Sequence, residues 1–567
     1  MQPNTADHGH QPEATVDGAP SAVHGASGQE QVNATTLVAA GEGQPSSRQV
    51  ADDIINALDP PRSPWVVGWR SWLLPAAMTL LGAGLRWPHL ERPRTLAFDE
   101  TYYAKDAYAL LTHGVEWQWK DKVDPLVIAA GGNEGKLNNL FADSASYVVH
   151  PPAGKWVIAL GEQLFGMTAF GWRFMPALLG TLLVLVVARA ALRLTRSPAV
   201  AALAGFFLAL DGMAIVLSRT AILDGILTFW IVCAAAALLI DRDLVRARIA
   251  QRLRTAPDPS QLLSAWRHGL PLSTGSRPAL WLAGLCLGLA LATKWSALWQ
   301  MAFFALLCLA ASTQTRRLLG ITRPWRTSVR RESALVLVAF LLLPLAVYTA
   351  SWVGWFATPE GYNRHWAATA GATGALGLLP PALRSWLHHH WMIWSFHVNL
   401  TQGHSYKANA WSWPIMGRPT SFWYSSDKTC ADSKCAAEVL ALGNPIIWWA
   451  GLLALLHQAW QWIATRDWRA SVIVVGWLSG WVPWLLFQER TIFTFYAVIM
   501  VPFTCLALAR STVRLLDSGG NKNARIMLVT AITCGAVALT WFFLPVWTGE
   551  PMSYWQWTLR MWFTTWV

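Results

Sequence analysis

The sequence predicts an all-α polytopic membrane protein with about eleven transmembrane helices and two large extracytoplasmic loops. Three observations carry that prediction. Only 13% of the 567 residues are charged, where soluble proteins carry about a quarter, and 54% are hydrophobic. Mean hydropathy is positive, at +0.32. The chain also holds 37 tryptophans, a residue that concentrates where a ring meets both lipid and water. The charges are too few to clothe several water-exposed domains. Disordered, fibrous and disulfide-scaffold classes are excluded on the same figures.

Residues 1–65 are rich in Gly, Ser, Ala, Gln and Asp, a composition that cannot bury enough surface to offset its ordering entropy. They are expected to form a disordered cytoplasmic tail, and residues 66–567 one transmembrane domain. The tail has no signal-peptide core, so the first apolar run is expected to act as an uncleaved anchor. A bilayer core takes roughly 20 helical residues. On that ruler the spans fall near 68–88, 173–192, 198–217, 221–240, 279–296, 297–312, 333–355, 443–463, 470–487, 491–510 and 525–546.

The net charge of +12 could suggest nucleic acid, but no nucleic-acid module accompanies it and no such partner is expected. Basic loops account for it. Arg189, Arg193 and Arg196 follow the second span, Arg242 to Arg254 the fourth, Arg316 to Arg331 the sixth, and Arg510, Arg514, Lys522 and Arg525 the tenth. With eleven spans these groups share one side, which the positive-inside rule makes cytoplasmic. The opposite side receives 89–172, 356–442 and several short turns. Most of the 7 cysteines sit in apolar runs, but Cys430 and Cys435 lie together in the second outer loop. An oxidising exterior would join them as a disulfide.

Chemistry concentrates in the outer segments. The first loop opens with Phe98-Asp99-Glu100-Thr101-Tyr102-Tyr103. Two adjacent carboxylates beside a span are costly unless they face water or a partner, although acidic residues also start helices. Adjacent helical positions point apart, so one carboxylate could take a proton while the other positions a group. His150-Pro151-Pro152-Ala153-Gly154-Lys155 follows, then Arg173 at the mouth of the second span. Arg219 and Asp224 stand at the next outer turn, Lys294 at another, and Gln488-Glu489-Arg490 at the last, ahead of Phe493, Phe495 and Tyr496. Positive-inside reasoning does not predict outer cations. Each could be an interfacial anchor, but their recurrence beside a carboxylate pair suits a phosphate. The second loop supplies His397, His404, Trp411 and Trp413. The aromatic pair suits a sugar face or a lipid, or simply the interface. The run His388-His389-His390 points three ways on a helix, so no metal site is expected.

Taken together these motifs resemble the protein O-mannosyltransferase family, and more narrowly its actinobacterial branch acting with polyprenol-phosphate-mannose. Phe98-Asp99-Glu100 with Tyr102-Tyr103 is the most specific part. His150 to Lys155, Arg173, Arg219 to Asp224, Thr293-Lys294-Trp295 and Trp411-Ser412-Trp413-Pro414 with Arg418-Pro419 occur in the expected order. The resemblance implies the GT-C glycosyltransferase fold and a lipid-linked mannosyl phosphate as donor substrate, with no cofactor required. Acceptors would be Ser/Thr-rich proteins of the secretory route or cell envelope, met at the outer face of the plasma membrane. It also implies a site. Asp99 would be the base and Glu100 its companion. Arg173, Lys294 and Arg490 would hold the donor phosphate. Tyr103, His150, Lys155, Arg219, Asp224, His397, His404, Trp411 and Trp413 would contact donor or acceptor. The Asp-Glu pair also occurs in transferases that serve glycolipid acceptors, which is the alternative reading. A transporter is a further one, but it predicts internal repeats and broken helices that the sequence does not display.

Overall fold

Lipid offers a backbone no hydrogen-bonding partners, so an apolar stretch within it closes its own ladder as a helix. The computed structural model describes residues 46–61, 63–370, 377–426, 429–430 and 433–567. Among these, each of the eleven apolar stretches carries helix. Helix α1 (Ser47–Leu58) precedes the first apolar helix, α2 (Leu73–Arg86). The first long loop folds into α3 (Glu100–His113), strand β1 (Trp117–Trp119), α4 (Asp124–Ala130), α5 (Glu134–Asn138), β2 (Phe141–Ala145) and α6 (Ala153–Phe165). Then come α7 (Ala169–Thr195), α8 (Pro198–Leu210), α9 (Gly212–Arg219), α10 (Leu223–Thr255), α11 (Pro259–Arg267), α12 (Pro278–Leu291), α13 (Ala297–Leu318) and α14 (Pro324–Ser351). The second long loop holds α15 (Pro381–Asn399), β3 (Thr420–Ser425), β4 (Thr429–Cys430) and β5 (Ser433–Ala441). Helices α16 (Pro445–Thr465), α17 (Trp468–Leu486), α18 (Val501–Asp517) and α19 (Lys522–Thr548), strand β6 (Met552–Ser553) and the short helix Tyr554–Thr558 follow.

Among the described residues six helices, α7, α10, α13, α14, α17 and α19, are long and apolar enough to cross a membrane, and the bent pair α8–α9 makes a seventh if it is one span. Helices α2, α12, α16 and α18 occupy four further expected spans but fall short of that length or apolarity. Among the described residues two small antiparallel sheets supplement the helices: β1–β2, and β3-β5-β4 with β6 on β5.

Arg173 and Arg193 lie twenty residues apart on α7, roughly 30 Å along the axis. The basic loops gather at the Arg193 end. Arg193 pairs with Asp243 at 3.1 Å, Arg246 donates to Gln314 at 3.0 Å, and Arg469 donates to the Leu194 carbonyl at 3.1 Å. The two long loops gather at the Arg173 end. The tail expectation fails over Ser47–Leu58, where Ala51, Ile55 and Leu58 form an apolar stripe covered by Val245, Ile249 and Leu253 of α10 and Leu263 and Trp266 of α11. Residues 1–45 lie outside those described. Cys435 is disulfide-bonded, and Cys430, its expected partner, has a side chain outside the described residues.

One expected span, 198–217, is broken by a 61° bend between α8 and α9. Breaking a helix in lipid strands carbonyls and amides, and side chains answer several of them. Arg86 donates to the Leu208 and Ala209 carbonyls at 3.1 and 3.2 Å, and Thr540 to the Leu210 carbonyl at 2.9 Å. Asp211 caps α9 through the Ala214 amide and also accepts from the Asn444 amide and the Trp448 indole. A Cβ at Gly212 would come within 2.0 Å of the Trp547 ring, so only glycine fits the bend. The bend directs Arg219 and Ala221 toward the loop end.

Candidate active site

The site starts from one strained residue. Phe98 has φ +50°, a conformation that bulky residues adopt only when their surroundings enforce it. Its ring stacks on Phe422 of β3 at 5.0 Å between centroids and meets Phe493 and Phe495 edge-on at 5.8 and 5.7 Å. The second loop and the turn before α18 thus clamp the first loop. Asp99 follows as the N-cap of α3, yet its side chain makes no capping bond. The Asp99 carboxylate is left to face the Tyr103 hydroxyl, which donates to Oδ2 at 3.4 Å.

Glu100 has the opposite fate. One oxygen accepts from the Ala97 amide at 2.8 Å and from Arg173 Nη2 at 2.7 Å, and the other from Arg173 Nε at 2.8 Å and the Ala221 amide at 2.9 Å. Both side chains of this pair are 0% exposed. Arg173 also donates to the carbonyls of Leu90, Pro93 and Thr95, so all five of its N–H groups are used. Arg173, expected to meet a donor phosphate, thus has no N–H to spare in this arrangement. Glu100 likewise has no oxygen free for a substrate. The pair ties the chain before Asp99 to α7 and to the turn after α9.

Three further expected contacts are also structural. Lys155 is buried between Asp106 at 3.1 Å and Glu116 at 2.7 Å. Arg219 is spent on the carbonyls of Arg86, Pro88 and His89, holding the turn after α2. Trp413 is wholly buried, with its indole donating to the Ala408 carbonyl, and cannot contact a ligand. Trp411 beside it is 62% exposed. His404 is exposed and packs edge-on against Phe493 at 5.0 Å, next to Phe98.

The remaining expected residues converge. Lys294, in the turn between α12 and α13, lies 2.8 and 3.0 Å from the Asp224 oxygens and 4.3 Å above the Tyr496 ring. His150 sits between Tyr103 and His397, with ring centroids 6.1 and 5.3 Å away. His397 Nε2 donates to the Val149 carbonyl, 2.9 Å away, because a carbonyl oxygen can only accept. Its Nδ1 then accepts from Arg490 Nη2 at 3.1 Å, while Arg490 Nε donates to the His397 carbonyl at 3.0 Å. Arg490 Nη1 and His150 Nδ1 are buried with no partner among the described residues. A buried donor without an acceptor is costly, so an anion is the natural complement at Arg490 Nη1.

Burial pushes the Asp99 pKa up to about 6, against the pull of Lys294. Burial, with Lys294, His397, Lys155 and Arg490 around it, holds His150 well below the usual histidine range, and burial together with Arg490 holds His397 at about 4. Both imidazoles are therefore neutral at pH 7. The floor of the site is a carboxylate able to take a proton, two neutral imidazoles, an ammonium and a guanidinium with an open N–H. Among the described residues no group of three or more His, Cys, Asp and Glu is placed to hold a metal ion.

Sequence reasoning gave no role to Tyr496, which lies under Lys294, to Trp295, whose ring is 5.9 Å from His397, or to Phe422. Trp295 had a readable signal, its place directly after Lys294. Phe422 had none, because its role depends on a loop crossing more than 300 residues of chain.

The fold and a carboxylate–cation floor beside the spans define a membrane-embedded glycosyltransferase of the GT-C class. The S. cerevisiae protein O-mannosyltransferase Pmt1–Pmt2 complex bound to the sugar donor superposes with a TM-score of 0.65 at 14% identity, over 91% of this chain and 94% of that one. A family model for dolichyl-phosphate-mannose-protein mannosyltransferase matches residues 76–247, and one for the C-terminal four-transmembrane region of protein-O-mannosyltransferase matches 382–566. The polyprenol-phosphate-mannose–protein mannosyltransferase of Mycobacterium tuberculosis H37Rv is 34% identical over 520 residues, covering 88% of this chain and 92% of that protein. Its counterpart in Corynebacterium glutamicum is 30% identical, over 89% and 95%. The chain belongs to the protein O-mannosyltransferase family.

Proposed function

We propose that this enzyme transfers mannose from a polyprenyl-phosphate-mannose to Ser or Thr hydroxyls of secreted or cell-envelope proteins, with inversion, at the outer face of the plasma membrane. The observation that carries the reading is the pairing of a carboxyl with pKa near 6, Asp99, with a cationic floor that keeps an open donor, Arg490 Nη1. The acceptor oxygen attacks C1 of mannose as its proton passes to Asp99, and the C1–O bond to phosphate breaks with its electron pair leaving on that oxygen. A hydroxyl is a poor nucleophile at neutral pH, and a positioned carboxylate speeds such a step about 10²–10⁴-fold. Charge grows on the departing phosphate, so Arg490 and Lys294 favour the transition state over the bound donor. A single displacement turns a β-linked donor into an α-linked mannoside.

Glu100 and Arg173 act at one remove, by fixing the backbone that carries Asp99. The exposed Trp411 and the imidazole of His404 face the side from which an acceptor chain arrives. The basic end is assigned to the cytoplasm on the positive-inside rule, with the tail on the same side.

The test is to incubate membranes with polyprenyl-phosphate-mannose and a Ser/Thr/Pro-rich peptide and weigh the peptide. A hexose increment that disappears in Asp99→Asn supports the reading. Label entering lipid instead of peptide would point to a glycolipid acceptor. Cysteine labelling from each face should reach position 102 only from outside.

A further inference from the structure

At the end of the molecule opposite Asp99 a cavity of about 410 Å³ opens between α10, α13, α16 and α17. Asp224, at the active-site end of α10, and Arg242, at this cavity, are separated by eighteen residues of one helix, roughly 27 Å. The cavity has no part in the chemistry proposed above and stands independently of it.

Its lining has two zones. The deep wall is apolar: Leu238 and Leu239 of α10, Leu307 of α13 and Val472 of α17. The mouth carries five arginines, Arg242, Arg277, Arg316, Arg317 and Arg466, against two carboxylates, Asp241 and Glu332. Both acids are already engaged. Arg277 pairs with Asp241 and reaches Glu332 at 3.4 Å, and Arg316 holds Glu332 at 2.6 Å. Arg242 pairs with Asp243 and lies 3.3 Å over the Trp468 ring. Its Nε, and that of the buried Arg316, has no partner among the described residues. Arg317 and Arg466 are exposed at the rim. Positive charge thus exceeds negative at the mouth, and unfilled N–H donors lie behind it.

An apolar slot beneath a surplus of guanidinium groups is matched by a ligand with an anionic head and a hydrocarbon chain. We propose that this cavity binds an anionic phospholipid of the leaflet at the basic end, its phosphate on Arg242, Arg317 and Arg466 and an acyl chain along Leu238, Leu239 and Val472. Basic pockets between helices on this side of a membrane suit such headgroups, each cation adding to the attraction of the negative surface. Free phosphate could satisfy the arginines but not the apolar wall, and a zwitterionic lipid could satisfy the wall but not the charge surplus.

The experiment uses the full chain purified in detergent, delipidated, and titrated with phosphatidylglycerol, phosphatidylcholine or inorganic phosphate while retained lipid and melting temperature are read. Phosphatidylglycerol should be retained and should raise the melting temperature, with phosphatidylcholine and phosphate far weaker. Arg317→Gln with Arg466→Gln, both at the rim, should weaken phosphatidylglycerol retention by about tenfold or more. Leu239→Trp, which fills the slot and leaves the charges, should weaken it as well. Equal retention of both lipids, protection by phosphate equal to that by lipid, or wild-type retention in the double variant would each overturn the proposal.

Discussion

Two ionic clusters at the loop end each set a carboxylate among cations and differ in how completely their hydrogen bonds are filled. In the Glu100–Arg173 cluster the two charges make two hydrogen bonds to each other and five to backbone amides and carbonyls, and no donor is left over. A few residues away, Asp99 makes one long contact to Tyr103, and Arg490 and His150 each keep an atom without a partner among the described residues. The filled cluster fixes the frame. The unfilled one keeps hydrogen-bonding capacity for a substrate. Charge alone does not separate the two, because Arg173 and Arg490 carry the same guanidinium; the N–H left open on Arg490 does.

The largest expected effect tests the unfilled side. Asp99→Asn should lower mannosyl transfer about 10²–10⁴-fold while the melting temperature holds steady or rises, since the buried carboxylate no longer has to ionise. A folded variant that keeps near-wild-type turnover would remove Asp99 as base. Glu100→Gln tests the filled side and should do the reverse. It strands Arg173 among carbonyls and should cost about 3–5 kcal/mol of stability, read as lost folded protein in thermal denaturation. Any loss of transfer in that variant should track the loss of folded protein.

Arg490→Gln comes next. It removes the open N–H and the charge and gives up two hydrogen bonds to His397 but breaks no buried ion pair, so turnover should fall about 10²-fold with a small change in melting temperature. Arg490→Lys should recover part of it. Equal loss in kcat and gain in unfolding would move Arg490 into the structural cluster.

The comparison also explains what was legible in the sequence. Asp99, His150, Lys294 and Arg490 announced themselves as polar residues at the mouths of apolar spans, and the fold follows from those spans. The fate of each cation did not announce itself. Arg173 is consumed by a carboxylate 73 residues away and by carbonyls of Leu90, Pro93 and Thr95, and carbonyls are the same in every residue, so no sequence pattern marks them. Arg219 was hidden for the same reason. By contrast the break at Asp211 and the helix Ser47–Leu58 left signals that composition averages conceal: one carboxylate in an apolar run, and apolar residues at positions 51, 55 and 58 behind a capping Ser46.

The smallest expected effect is a shift in a pH profile, and it examines the coupling within the unfilled cluster. Asp99 is pushed up to about 6 by burial, and Lys294 is the charge that holds it down. A base must be ionised to work, so transfer should be flat above pH 6 and fall as Asp99 takes up a proton below it, tenfold per unit at the limit. Removing the lysine charge in Lys294→Met favours the protonated form of Asp99, so the acid limb should move to higher pH. The residual activity is then measured in ratio to its own plateau, which separates the shift from any loss in phosphate binding. An acid limb that stays in place, or moves to lower pH, would mean that Lys294 does not act on Asp99 and serves only its partner Asp224.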